Sequence, residues 1–178
     1  MQRPDEVLTC GQVTLRRWRP DDADLIFHLV TESLEHLRPW MPWVAGYGPH
    51  SAVAYLSDSQ QSWEAGTAFN YAIGYGAAVV GSCGLMARIG PGGLEIGYWV
   101  HPSYTGRGLA TDAAAALTQA AFALPGIDRV EILHDANNVA SGRVPRKLGF
   151  AEVGRRPSRL EQRAPSDSGT SVAWRLTR

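Results

Sequence analysis

The run Leu94-Glu95-Ile96-Gly97-Tyr98-Trp99-Val100 leads through His101-Pro102-Ser103-Tyr104 into Thr105-Gly106-Arg107-Gly108-Leu109-Ala110-Thr111, and no other stretch constrains the chain as much. Its first seven residues are apolar, aromatic and β-branched enough to read as a strand. Two glycines then make a tight turn, and an alanine-rich helix begins at once. Such a turn leaves consecutive backbone N–H groups at a helix N-terminus, where roughly half a positive charge from the helix dipole suits a pyrophosphate. Gly106 and Gly108 let the backbone approach closely, and Arg107 adds a charge that would meet a phosphate. Glycine spacing alone also fits an ordinary strand-to-helix turn. The rival phosphate patterns, Gly-x-x-x-x-Gly-Lys-Ser/Thr and an early Gly-x-Gly-x-x-Gly, do not occur.

Around this segment the pattern predicts a mixed α/β (α+β) domain. Val13 to Trp18 reads as a first strand, and Pro20-Asp21-Asp22 as the start of a helix ending before Pro39. A second helix is expected from Ser51, as N-cap, to Gly66. Strands follow at 68–73, 78–86 and 94–100, punctuated by glycine turns. A long helix spans 108–123, with Leu109, Ala113, Ala116, Leu117, Ala120 and Leu124 on one face. A strand at 129–134, a short helix at 138–148 closed by Gly149, and strands at 150–153 and 171–176 complete the order β-α-α-β-β-β-α-β-α-β-β. That is a central, mostly antiparallel sheet of about seven strands with about four helices. One domain is expected over 1–178, with its core at 11–154, a mobile loop at 155–170 and a final strand at 171–176.

The chain has 178 residues and 44% hydrophobic residues, enough for one domain with a sizeable core. Its formal net charge of zero argues against nucleic-acid binding by bulk charge. No window approaches the ~20 apolar residues of a membrane span, and Met1 to Glu6 do not resemble a secretory signal. Cys10 and Cys83 make no disulfide framework, and the histidines show no metal-ligand spacing, so no metal is expected. The expected location is the cytoplasm.

The run from Glu95 to Pro102 followed by Thr105-Gly106-Arg107-Gly108-Leu109-Ala110-Thr111 resembles motif A of the Gcn5-related N-acetyltransferases. Three further stretches fall in order. Leu37-Arg38-Pro39-Trp40-Met41-Pro42-Trp43 and Asn138-Val139-Ala140-Ser141 resemble segments of the RimJ/RimL branch, whose known members acetylate N-termini of ribosomal proteins. Lys147-Leu148-Gly149-Phe150 matches the ending that follows. The resemblance runs from about Val13 to Phe150. Thr105 departs from the usual Gln or Arg, Arg146 stands at a usually acidic position, and the tail lacks the branch's usual connecting segment.

The resemblance implies a sheet splayed between its fourth and fifth strands and direct transfer of acetyl from acetyl-CoA to a primary amine. The acceptor it implies is a protein N-terminal α-amine; a small amine or antibiotic, or a non-catalytic coenzyme-A-binding module, are the alternatives. Coenzyme contacts are implied for Tyr98, Trp99, Val100, Thr105 to Thr111, Asn138 and Ser141, with Ser141 bonding the sulfur. Glu95 is the candidate general base, or else an exposed or arginine-paired carboxylate. Gly97 would tolerate a bulge that starts the splay, or merely relieves packing. Trp40, Met41 and Trp43 would line the acceptor site, or form a hydrophobic plug. Arg155, Arg156, Arg159 and Arg163 would attract an acidic acceptor, or lie in a solvated loop. Pro145 lacks an N–H for the Ser141 carbonyl, so the helix should bend there. The expected oligomeric state is monomer or homodimer, with no membrane partner.

Overall fold

The computed structural model describes residues 2–159 and 162–178; Met1, and Leu160 and Glu161 of the expected loop, lie outside the described residues. The strands are β1 (Val7–Cys10), β2 (Val13–Arg17), β3 (Ala68–Tyr75), β4 (Ala78–Met86), β5 (Gly93–Val100), β6 (Arg129–Asp135), β7 (Ala151–Pro157) and β8 (Thr170–Thr177). The helices are α1 (Ala23–Leu37), α2 (Pro49–Ala65), α3 (Leu109–Ala123) and α4 (Val139–Lys147). All eight strands share one sheet in the order β1-β2-β3-β4-β5-β6-β8-β7. Every neighbouring pair is antiparallel except β5 and β6. That one parallel pair requires a crossover, and α3 supplies it.

Helix boundaries follow local chemistry. The Asp22 carboxylate accepts the Arg19 N–H at 2.9 Å and pairs with Arg16 at 2.7 Å just before α1. Gly48 caps α2, not Ser51, which stands inside the first turn and accepts the Gly48 N–H at 3.2 Å. Gly66 ends that helix at φ +71°. Alanines let α3 lie close to the sheet: Ala113, Ala114 and Ala121 are fully buried beside Leu109 and Leu117. They pack with Leu15, Phe69, Ile73, Leu94 and Ile96, while Trp18, Ile26, Val30, Leu56 and Ala72 form a second cluster with α1 and α2.

Three further expectations change. The sheet has eight strands, because Val7–Cys10 forms a hairpin with β2 through Gly11 and Gln12; the core therefore begins before residue 11. Arg155, Arg156 and Pro157 belong to β7, paired with Val172, Ser171 and Thr170 of β8, so the connecting loop is 158–169. Its later part is tied down: the Ser166 N–H reaches the Pro39 carbonyl at 3.0 Å, and Ala164 is buried. Finally, Gly97 carries no bulge. β5 pairs with β4 without interruption from Glu95 to Val100, and register shifts occur instead at Ile73/Gly74 and Glu152/Gly154.

Candidate active site

The seam between β5 and β6 opens halfway along. Gly93, Leu94, Glu95 and Ile96 pair with Arg129, Val130, Glu131 and Ile132, and the pairing stops there. β5 stays with β4 up to Val100, while β6 stays with β8 up to Asp135. The separation thus comes from each strand following its outer partner. The His101 N–H bonds the Val80 carbonyl at 2.7 Å, which fixes the phase of β5. Strand alternation then turns the N–H groups of Gly97 and Trp99 toward β4, and those of Tyr98 and Val100 toward the open seam. Two backbone donors aimed into a gap are what a thioester oxyanion requires.

Past Val100 the chain turns through Gly106 and Gly108, at φ +75° and +85°, a region that favours glycine. Gly108 is the N-cap of α3, and the first helical bond runs from the Asp112 N–H to the Gly108 carbonyl at 3.0 Å. The N–H groups of Leu109, Ala110 and Thr111 precede that bond and suit an anion. A Cβ at Gly106 or Gly108 would meet no atom within 4 Å, so both face open space. The Thr105 hydroxyl donates to the Pro102 carbonyl at 2.9 Å and shapes the turn from within. Arg107 lies over the Tyr104 ring at 5.3 Å. The β1–β2 turn supports the helix start, with the Gln12 N–H on the Asp112 carboxylate at 3.0 Å.

Across the seam stands α4. Asn138 caps it, accepting the Ser141 N–H at 3.1 Å. Gly142 packs against the His134 ring so closely that a Cβ would lie 2.7 Å from Nε2. Tyr98 reaches over from β5: its hydroxyl donates to the Ser141 carbonyl at 3.0 Å and lies 3.2 Å from Ser141 Oγ. Burial pushes the Tyr98 phenol up to about 12, against the lowering effect of its bond to Ser141. It remains a neutral donor at neutral pH.

The opposite face of the seam carries Glu95, Trp99 and Glu131. Glu95 is buried, and its carboxylate pairs with Arg88 just beyond β4. Glu131, 2% exposed, accepts Arg156 at 2.8 Å and Arg175 at 2.6 Å. Burial alone would raise the Glu131 carboxyl, but hydrogen bonds from Arg175 and Arg156 outweigh it and hold it below the ordinary range. A lowered folded-state pKa lends stability that is present above the unfolded value of ~4.3 and lost as acid protonates the native carboxylate. Glu131→Gln is expected to cost about 2–3 kcal/mol at pH 7, toward the low end for a buried pair because both guanidiniums are partly solvated. It should also flatten the acid limb of stability, which urea melts between pH 7 and 3 would read.

Above this face Trp43 sits 6.4 Å from Trp99 and 6.1 Å from Tyr47, ring centre to ring centre. Met41 packs on the neighbouring cluster, and Trp40 is half-buried. Loop 158–169 reaches the same place through the Ser166–Pro39 bond, and the Arg159 guanidinium contacts the Arg88 carbonyl at 3.4 Å.

The family model for the acetyltransferase (GNAT) domain matches residues 12–151. This chain belongs to the GNAT acetyltransferases. It is an acetyl-CoA-dependent enzyme of that family. It is 29% identical over 148 residues, covering 80% of each chain, to a Bacillus subtilis (strain 168) protein named "Putative ribosomal N-acetyltransferase YdaF". Mycobacterium smegmatis RimJ in complex with CoA-disulfide superposes with a TM-score of 0.84 at 25% identity, covering 98% of this chain and 88% of that one. RimL, the ribosomal L7/L12 alpha-N-protein acetyltransferase in complex with coenzyme A, has the same fold, with a TM-score of 0.87 at 20% identity over 97% and 98% of the chains.

For a GNAT domain the expected residues divide cleanly. Tyr98, Val100, Thr105 to Thr111, Asn138 and Ser141 gather around the open seam and the turn that follows it. The Trp99 side chain instead faces Trp43, and its N–H turns toward β4, so Trp99 stands apart from that group. Trp43 and Met41 lie at the rim opposite. Glu95 belongs to the paired part of the seam and is engaged by Arg88. Sequence reasoning missed Arg88, Glu131 and Tyr47. The first was accessible from hairpin register, since Met86 faces Glu95. Tyr47, whose hydroxyl is buried without a hydrogen-bond partner among the described residues, left no local signal. Among those residues no cluster suits a metal, and no helix is long and apolar enough to cross a membrane.

Proposed function

We propose that this GNAT enzyme acetylates the α-amine of a protein N-terminus. The observation that carries this reading is the state of the seam carboxylates: Glu95 and Glu131 are both held by arginines. A site without a free strong base at the seam favours an amine that is already partly neutral. At pH 7.4 an α-amine with a pKa near ~7.8 is roughly one quarter neutral, whereas a lysine-like amine near ~10.4 is about one part in a thousand neutral. The similarity to RimJ, RimL and YdaF supports the same choice.

In this mechanism the pyrophosphate of acetyl-CoA rests on the amides from Gly106 to Thr111, and the pantetheine arm runs down the open seam past Asn138. The acceptor enters from the Trp43–Trp99 side. Its nitrogen attacks the thioester carbon directly. The Tyr98 and Val100 N–H groups face the oxygen that gains charge, and Ser141 donates toward the departing sulfur. No covalent enzyme intermediate forms. The amine proton leaves through water.

Acceptor-dependent release of coenzyme A thiol tests this, with N-terminal peptides of ribosomal proteins, polyamines and amine-bearing antibiotics as the panel. Mass spectrometry should locate acetyl on the peptide α-amine. Turnover confined to a polyamine or antibiotic would overturn the acceptor assignment while leaving the chemistry in place. Glu95→Gln should change kcat by less than about threefold, against the 10²–10⁴ that loss of a general base brings. A loss in that range, with the acid limb of the pH profile abolished, would return Glu95 to the role of base.

A further inference from the structure

We propose that Tyr98 is a positioning residue for Ser141, holding its hydroxyl as a donor to the sulfur that leaves the thioester. The proposal rests on the reading that the sulfur arrives beside Ser141, but not on the identity of the acceptor. In an α-helix the carbonyl of residue 141 accepts the N–H of residue 145. Pro145 has no N–H, so the Ser141 carbonyl is released from the helical ladder inside α4. The Tyr98 hydroxyl takes that place at 3.0 Å and stands 3.2 Å from Oγ of the same serine.

A serine hydroxyl ordinarily rotates among its partners. Here the N–H of Ser141 is fixed by Asn138 at 3.1 Å, and both of its oxygens lie against one phenol. With the single Tyr98 proton shared between the Ser141 carbonyl and Oγ in a three-centre bond, the Oγ proton is left to point away, into the seam. As charge builds on sulfur, polarisation of the Oγ–H bond makes Oγ a better acceptor for Tyr98, so the two bonds strengthen together. Tyr98 is also one of the two residues, with Val100, whose N–H groups face the open edge. One residue therefore joins the strand that meets the oxyanion to the helix that meets the thiolate. A phenylalanine would fill the same space without making this link.

The test is the ultraviolet titration of the thiol of coenzyme A bound to the enzyme, which needs no acceptor. Ser141→Ala is expected to raise the bound thiol pKa by about 1.5 units and Tyr98→Phe by about one, the scale of a hydrogen bond to a charged group. The double variant should shift no further than Ser141→Ala alone. With any amine that supports thiol release, Tyr98→Phe should lower kcat about tenfold and leave the KM for acetyl-CoA within about twofold, separating a transition-state contact from binding. An unchanged titration in either single variant, or shifts that add in the double variant, would overturn the proposal. So would a Tyr98→Phe protein that has lost coenzyme affinity, since its role would then lie in binding. Failure of every peptide acceptor would count against the proposed acceptor and leave the titration result standing.

Discussion

Gly108→Val should weaken coenzyme A binding about 100-fold by calorimetry, because left-handed backbone costs a branched residue up to ~3 kcal/mol and its relaxation would turn the helix-start amides away. Gly108 sits at φ +85° as the cap of α3, and the space beyond its Cα is open. Its substitution therefore acts on the ligand cradle and not on packing against the protein. Gly126→Val is the control. Gly126 has φ +79° and equally open surroundings, but it follows the opposite end of α3. It should lower stability by a similar amount and leave the dissociation constant unchanged. Equal affinity in both variants would remove the pyrophosphate from the Gly106–Thr111 turn.

Ser141→Ala should lower kcat about 30-fold with coenzyme affinity nearly intact, the effect of losing a hydrogen bond of about 2 kcal/mol to a charged sulfur. The substitution removes one hydroxyl while leaving the Asn138 cap and the Tyr98–carbonyl bond in place, since both use the backbone of residue 141. The helix should stay where it is. Steady-state kinetics with saturating acceptor, beside a binding isotherm, would separate the two quantities. Unchanged turnover would take Ser141 out of the mechanism.

How much of this was legible beforehand depends on the range over which each feature is determined. The β5–turn–α3 segment, the Asn138 cap and the left-handed Gly149 are set by neighbours in the chain, and they appear where the pattern placed them. The missing N–H at Pro145 was visible too, but its partner was not, because Tyr98 lies 43 residues away from Ser141. Glu131 meets Arg175 only once β6 and β8 are in register, a separation of 44 residues. The first strand escaped because its exposed Val7 and Thr9 and half-buried Leu8 and Cys10 give a weak pattern over four residues. Arginines 155 and 156 looked like loop by composition. Pairing with β8 decided otherwise, and Glu131 beneath gives Arg156 an ionic partner.

The bond from Ser166 to Pro39 braces the segment that carries Trp40 and Trp43 against the turn that follows β7. A graft of the tryptophan-bearing loop alone would arrive without the segment that braces it, and the reverse graft would lose its anchor. Both groups of that bond are main-chain, so the pairing depends on the length and path of each loop and not on the side chains they carry. Side-chain exchanges within either loop can therefore leave the brace intact, whereas an insertion or deletion in one calls for a matching change in the other.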